Sequence, residues 1–229
     1  MKILLYDKMQ LADVDAKIKS PALSDIYLND SYVIEVNFDT PEIVDCIGIG
    51  NTDSTEISIS DGSITQIVTL PASTDRTRKY QNGLYLLTEM ESASYTITFN
   101  GTFIGRIGIG EARTLGTNPT KEIGFYTTSE SRVTLSGQTI PGAGGYSGRR
   151  AEMDVRYKID DEIYNDIELA YEDQISKEFP YFIYFDDELH KLPVNMTRFY
   201  AATNKPLSLL QSSIYRFLYS YKFSFYERF

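Results

Sequence analysis

The chain has 229 residues and a formal net charge of −10, enough for one large domain or two small ones. With 42% hydrophobic and 13% aromatic residues, it carries ample material for a packed core, which argues against disorder. A single cysteine, Cys46, excludes an intramolecular disulfide, and the acidic balance argues against a general nucleic-acid binder, which needs a basic surface to release counterions.

The first half reads as short β signals broken by turns. Met1-Lys2-Ile3-Leu4-Leu5-Tyr6-Asp7 has an apolar patch too short for a signal peptide. It predicts a first strand over Ile3–Tyr6, in a protein made and folded in the cytosol. No apolar run approaches the roughly 18–20 residues that span a membrane as a helix. Further strands are predicted at Tyr32–Phe38, Val44–Ile49, Glu56–Ser60, Ser63–Leu70, Gly83–Leu87, Ser94–Asn100 and Phe103–Ile109. Tyr32, Ile34, Val36 and Phe38 share one face by period-two alternation, as do the apolar residues of Tyr95–Phe99. Asp61-Gly62 and Asn100-Gly101 each read as a two-residue hairpin turn. Ala72–Asn82, with Arg76, Arg78 and Lys79, reads as an exposed loop.

Ile-Gly-Ile-Gly occurs twice, at Ile47–Gly50 and Ile107–Gly110. On a strand this alternation gives one bulky face and one bare face. A dinucleotide loop would need a third glycine three residues on and a following helix. Asp53 and Arg113 stand there instead, so the glycines read as room for close sheet packing.

Gly116–Thr120 reads as a linker. It divides the chain into a sandwich over 1–116 and a β-rich assembly module over 121–229. The second module opens with short runs at Glu122–Tyr126 and Arg132–Leu135. Five glycines between 137 and 148 predict a mobile loop that a partner orders, with Gly142, Gly144, Gly145, Tyr146, Arg149 and Arg150 as candidate assembly residues. Met153–Ile159 reads as a strand. A helix is predicted over 160–179, capped by Asp160 or Asp161 and ended by Pro180. Tyr181–Phe185 is an all-apolar strand. Tyr215, Phe217, Tyr219, Tyr221, Phe223 and Phe225 alternate along a last strand, which is either a sheet centre or an assembly surface. Tyr219, Tyr221 and Phe223 are its candidate assembly residues.

Charge is concentrated. From Ala151 to Glu188 there are thirteen acidic and three basic residues, which leaves nineteen of each sign elsewhere. The acidic segment is either a solvated face or the lining of a channel that repels phosphates and lets a duplex slide.

Chemistry is sparse. The one histidine, His190, follows Asp186-Asp187-Glu188 with no nucleophile motif nearby, and reads as a solvated turn residue. One His and one Cys do not make an ordinary zinc site. Neither Asp160-Asp161-Glu162 nor Asp186-Asp187-Glu188 has calcium-loop spacing. Asn51-Thr52-Asp53-Ser54 could hold a cation or a glycan, and Asn51, Asp53 and Arg76 form the candidate ligand loop.

The segment from Val36 to Thr52, containing Phe38-Asp39-Thr40-Pro41 and Ile47-Gly48-Ile49-Gly50-Asn51, resembles the galactose-binding-like (discoidin-type) jelly rolls of bacteriophage tail and baseplate proteins. Ser92–Phe99 and Ile104–Gly110 look like the closing strands of such modules. Ala151–Ile159, the acidic helix, Phe179–Asp186 and Tyr219–Glu227 resemble phage tail structural proteins of the distal-tail and tube type. The resemblance implies a mainly β fold: a jelly-roll sandwich, then a β-barrel or sandwich module with one flanking α-helix. It implies a non-catalytic virion component of the tail, made in the host cytoplasm. Its partners would be copies of itself in an oligomeric ring and other tail proteins. No cofactor, membrane insertion or sequence-specific nucleic acid is expected. The rivals are a carbohydrate-binding adhesion module for host surface glycans and, behind it, a hydrolase. Against the sugar-binding members stand the absent tryptophan and the lack of a recognisable ligand constellation.

Overall fold

The structure, a computed structural model, describes residues 2–22, 25–28, 32–72, 82–114, 120–127, 132–133, 139–140, 147–158, 180–185, 197–203, 210–211 and 218–227. The expected helix over 160–179 lies outside them. The fold is mainly β, in two large sheets.

The chain opens with β1 (Lys2–Leu4), a 3-10 turn at Lys8–Gln10 and the one-turn helix α1 (Ala16–Lys19). Both turns start at an aspartate whose side chain accepts a backbone N–H two residues on, Asp7 from Met9 and Asp15 from Lys17, the usual N-cap device. Then come β2 (Tyr27–Leu28), β3 (Val33–Thr52), β4 (Glu56–Ser60), β5 (Thr65–Thr69), β6 (Gly83–Phe99) and β7 (Phe103–Gly110). They form one sheet in the order β2-β7-β3-β6-β4-β5.

Four of the expected strands are halves of two long ones. Tyr32–Phe38 and Val44–Ile49 merge into β3, and Gly83–Leu87 and Ser94–Asn100 into β6. Pro41 does not break β3, because it falls where the β3–β6 register shifts, between Asn37 and Glu42. A proline there costs no ladder hydrogen bond. The two long strands carry the sheet around its own core. Ile34, Val36, Ile57, Ile59 and Ile97 from one half share a single buried cluster with Ile47, Ile49, Ile107 and Ile109 from the other.

Neither expected hairpin turn has the predicted form. The β4–β5 loop runs over 61–64, because the Asp61 carboxylate accepts the Ser63 and Ile64 N–H groups, at 2.8 and 2.7 Å. The first pair is therefore Ser60 with Thr65. Asn100-Gly101 is not a hairpin at all. β6 ends beside β4, with Phe99 opposite Ile57, whereas β7 begins beside β2 and β3. The segment is a corner between the two halves of the sheet.

β8 (Ala112–Thr114), β9 (Thr120–Thr127), β12 (Ser147–Lys158), β13 (Tyr181–Tyr184), β14 (Arg198–Thr203), β15 (Leu210–Gln211) and β16 (Leu218–Glu227) join β1 in the second sheet, ordered β8-β1-β13-β14-β16-β12-β9 with β15 on β16. β10 (Arg132–Val133) and β11 (Thr139–Ile140) pair only with each other. The amino-terminal strand thus lies between β8 and β13, far from it in sequence.

The two Ile-Gly-Ile-Gly runs lie side by side, antiparallel and in register: Ile47 opposite Ile109, Gly48 opposite Gly108, Ile49 opposite Ile107. Their isoleucines fill the core of the first sheet. Their bare side receives the second sheet. A Cβ on Gly48 would overlap the ring of Phe182, and one on Gly108 would stand 3.0 Å from both Phe182 and Leu4. Phe182 stacks on Tyr200 with ring centroids 4.6 Å apart, and Leu4, Cys46 and Leu84 complete this second buried cluster.

Candidate functional site

The candidate ligand loop sits at the corner where β3 ends. Asn51 has φ 48°, the left-handed region that asparagine tolerates better than most side chains. Its N–H donates to Asn82 Oδ1 at 2.8 Å. This turns the chain so that Thr52, Asp53 and Ser54 face the β6–β7 corner. Thr52 Oγ1 donates to the Phe103 carbonyl at 2.8 Å and accepts from the Ser54 N–H at 3.1 Å. Asp53 Oδ1 accepts the Thr102 and Phe103 N–H groups at 2.7 and 3.1 Å, while Oδ2 accepts the Thr102 hydroxyl at 2.7 Å. Ser54 Oγ accepts the Gly101 N–H at 2.8 Å. In return Asn100 Oδ1 accepts the Thr55 and Glu56 N–H groups at 2.9 and 3.3 Å. Gly101 has to be glycine: a Cβ there would stand 2.5 Å from the Ser54 nitrogen.

Partial burial pushes the Asp53 carboxyl up, but the Thr102 hydroxyl and the Phe103 and Thr102 N–H groups outweigh it and hold it below the usual range. Both Asp53 oxygens are thus engaged by protein donors. The chemistry at this corner is bracing, one loop capping the other. Arg76, the third residue of the candidate set, lies outside the described residues. Among the described residues no group of three or more His, Cys, Asp and Glu converges as a metal site would.

A second polar cluster lies at the seam between the sheets, and the sequence reading missed it. Arg106, immediately before the second Ile-Gly-Ile-Gly run, is 2% exposed. Its guanidinium binds the Asp7 carboxylate and the Lys19 carbonyl. Asp7 also accepts the Met9 and Ile109 N–H groups at 3.0 and 3.1 Å. Burial pushes the Asp7 carboxyl up, against the pull of the Arg106 charge. A buried, shifted carboxylate is a mark of active sites when it lines a cleft. Here both side chains are sealed from solvent, so the pair is a clasp. It draws residues 7–19 over β7, where Met9, Ala12 and Ile18 close the core. Beside it Lys8 Nζ reaches Glu42 at 2.9 Å, Glu111 at 3.2 Å and the Ile43 carbonyl at 3.0 Å. An arginine in an otherwise apolar glycine-isoleucine strand was the available signal.

Two more contacts cross the seam. The Arg198 guanidinium lies 4.7 Å from the centre of the Tyr85 ring and 4.9 Å from that of Tyr184, a cation–π arrangement. Burial pushes the Tyr85 phenol up against the pull of Arg198. The Tyr200 hydroxyl donates to the Pro21 carbonyl at 2.9 Å. Cys46 is buried, its thiol donating to the Gly110 carbonyl at 3.2 Å. Burial, and after it the Asp45 carboxylate, push the thiol well up, which makes it a poor nucleophile.

Of the candidate assembly residues, Arg149 is opposite Phe125, and Arg150 is opposite Gly124 on one side and Tyr226 on the other. Tyr219, Tyr221 and Phe223 lie in β16 opposite Tyr157, Val155 and Met153. Tyr219 is also opposite Gln211 of β15. Gly142, Gly144, Gly145, Tyr146 and His190 lie outside the described residues.

No known protein family matches the chain, and no curated protein does. Among solved structures it is similar to an alpha-L-fucosidase-like protein from Bacteroides thetaiotaomicron, at 15% identity and a TM-score of 0.30. That likeness covers 48% of this chain and 29% of the other.

Proposed function

We propose that the chain is a non-catalytic structural component of a bacteriophage virion, an oligomeric tail or distal-tail and baseplate ring or adaptor protein. The observation that supports this reading is the use made of the polar side chains. Asp53, Ser54 and Asn100 brace one corner of the first sheet, and Asp7 and Arg106 clasp the seam between the sheets. Groups placed this way stiffen a scaffold. The resemblance of Val36–Thr52 and Tyr219–Glu227 to tail proteins supplies the setting. Antibodies raised against the protein are expected to label the tails of virions by immunogold microscopy. Labelling absent from every particle overturns the reading. Saturable binding on a glycan array, lost in Asn51→Ala or Arg76→Ala, replaces it with the adhesion module.

A further inference from the structure

We infer that Asn100-Gly101 is a latent self-modification site, a deamidation centre that the β6–β7 corner holds in check through Ser54. The chemistry belongs to the dipeptide. The glycine backbone nitrogen attacks the asparagine side-chain carbonyl carbon and closes a cyclic succinimide. A new C–N bond forms there, and the bond to the side-chain amide nitrogen breaks. That nitrogen leaves as ammonia, taking the proton that the glycine nitrogen gives up. Water then opens the ring at either carbonyl, giving aspartate or isoaspartate. Glycine favours the closure because it has no side chain beside the attacking nitrogen and turns freely.

The chain contains two such dipeptides, Asn82-Gly83 and Asn100-Gly101, and the fold treats them differently. Asn82 is 2% exposed, and Gly83 lies in the β3–β6 ladder opposite Ile49. Reaction there requires the sheet itself to open. Asn100 is exposed, in the corner that follows β6. Its restraint is local. Ring closure needs the Gly101 nitrogen to shed its proton, yet Gly101 is buried and its N–H donates to Ser54 Oγ at 2.8 Å. Closure also needs the Asn100 amide to swing back toward Gly101. Instead Oδ1 accepts the Thr55 and Glu56 N–H groups at 2.9 and 3.3 Å, and Nδ2 donates to Thr55 Oγ1 at 2.7 Å. Both reacting groups are thus engaged. Deamidation waits on an opening of this corner, which is a smaller event than opening of the whole molecule.

The product undoes the brace. Isoaspartate carries the backbone through its side chain and lengthens it by a carbon before Gly101. Gly101 has no room for the shift, since even a Cβ there would overlap Asp53 Oδ1 and stand 2.5 Å from the Ser54 nitrogen. The new carboxylate also brings a further negative charge to a corner that holds Asp53 and Glu56. None of this depends on the virion reading.

The test is peptide mapping by mass spectrometry of the full chain held in mildly alkaline buffer, with conversion read at Asn100 and Asn82 side by side. In the folded parent Asn100 is expected to convert before Asn82, but about tenfold or more slowly than in the guanidinium-unfolded chain. Ser54→Ala leaves the Gly101 N–H without its acceptor and is expected to speed Asn100 about three- to tenfold, with Asn82 unchanged. Thr55→Val, at an exposed position, releases the Asn100 amide nitrogen and is expected to act in the same direction, so the test stands even where Ser54→Ala folds poorly. Conversion of Asn100 as fast in the folded parent as in guanidinium overturns the inference. So does conversion of Asn82 before Asn100, and so do variants that speed both sites alike or neither. The isoaspartyl fraction, more negative and separable by anion exchange, is expected to melt below the parent; melting like the parent overturns the loss of the brace.

Discussion

Gly48 and Gly108 do their work by having no side chain. They lie opposite each other on β3 and β7, and the Phe182 ring occupies the space their Cβ atoms would need. A methyl at Gly48 forces Phe182 or the backbone to move, and overpacking of this kind costs about 1–3 kcal/mol. Phe182→Ala alone should cost about 3–5 kcal/mol through the cavity it leaves. The two losses should not add: with the ring gone, Gly48→Ala has room and should cost much less than it does in the parent. A double-mutant cycle by urea denaturation reads this coupling, and strict additivity would show that Phe182 does not sit on Gly48. The alternation of isoleucine and glycine was legible in the sequence, and so was its purpose of close sheet packing. The occupant was not. Tyr181–Phe185 is apolar at every position, so it carries no phase to say which side chain faces the glycines. Arg106 was visible but unexplained, because its partner Asp7 is 99 residues away.

At the scale of elements, turn chemistry was legible as the presence of a turn and misleading as to its kind. Asn100-Gly101 and Asp61-Gly62 both carry hairpin residues, yet only the second joins neighbouring strands. What decides is where the side chains bind. Asp61 accepts N–H groups within its own loop, whereas Asn100 accepts those of Thr55 and Glu56 in another. The latter is a long-range fact that no local window holds. The reciprocal brace at Asp53 has a pH signature. Its folded pKa lies below the unfolded value of about 3.9. The carboxylate therefore contributes stability that is present above the unfolded value and lost as pH falls through the folded one. Asp53→Ala should lower unfolding free energy by about 1–2 kcal/mol near neutral pH, the worth of hydrogen bonds to a charged but half-exposed group. Below about pH 4 the gap between parent and variant should narrow. A gap that is constant from pH 7 to pH 2.5 would mean that the lost contribution does not depend on the Asp53 charge.

Across the whole molecule, the two sheets are joined by more than contact. β1 and β8, which flank the strands of the first sheet in sequence, both belong to the second. Long β3 and β6 were legible only as halves, since the bend at Asn37–Glu42 looks locally like a loop. The placement of β1 was not legible at all, because Ile3 and Leu4 mark a buried strand without naming its neighbours. That topology bears on how the protein unfolds. Leu4 is 2% exposed, belongs to the seam cluster with Phe182 and Tyr200, and lies against Gly108 of the first sheet. Leu4→Ala should cost about 2–5 kcal/mol. If the seam couples the sheets, native-state hydrogen exchange should report that loss equally in both, at Ile47 and Ile109 as at Phe182 and Ile183, because the slowest amides of each exchange through one global opening. Loss of protection confined to β1, β8 and β13, with Ile47 and Ile109 unmoved, would show two separately unfolding sheets. The Asp7–Arg106 clasp and the Tyr200–Pro21 hydrogen bond favour the first outcome, since they tie the amino-terminal segment to one sheet each and the two cannot both survive if the sheets part.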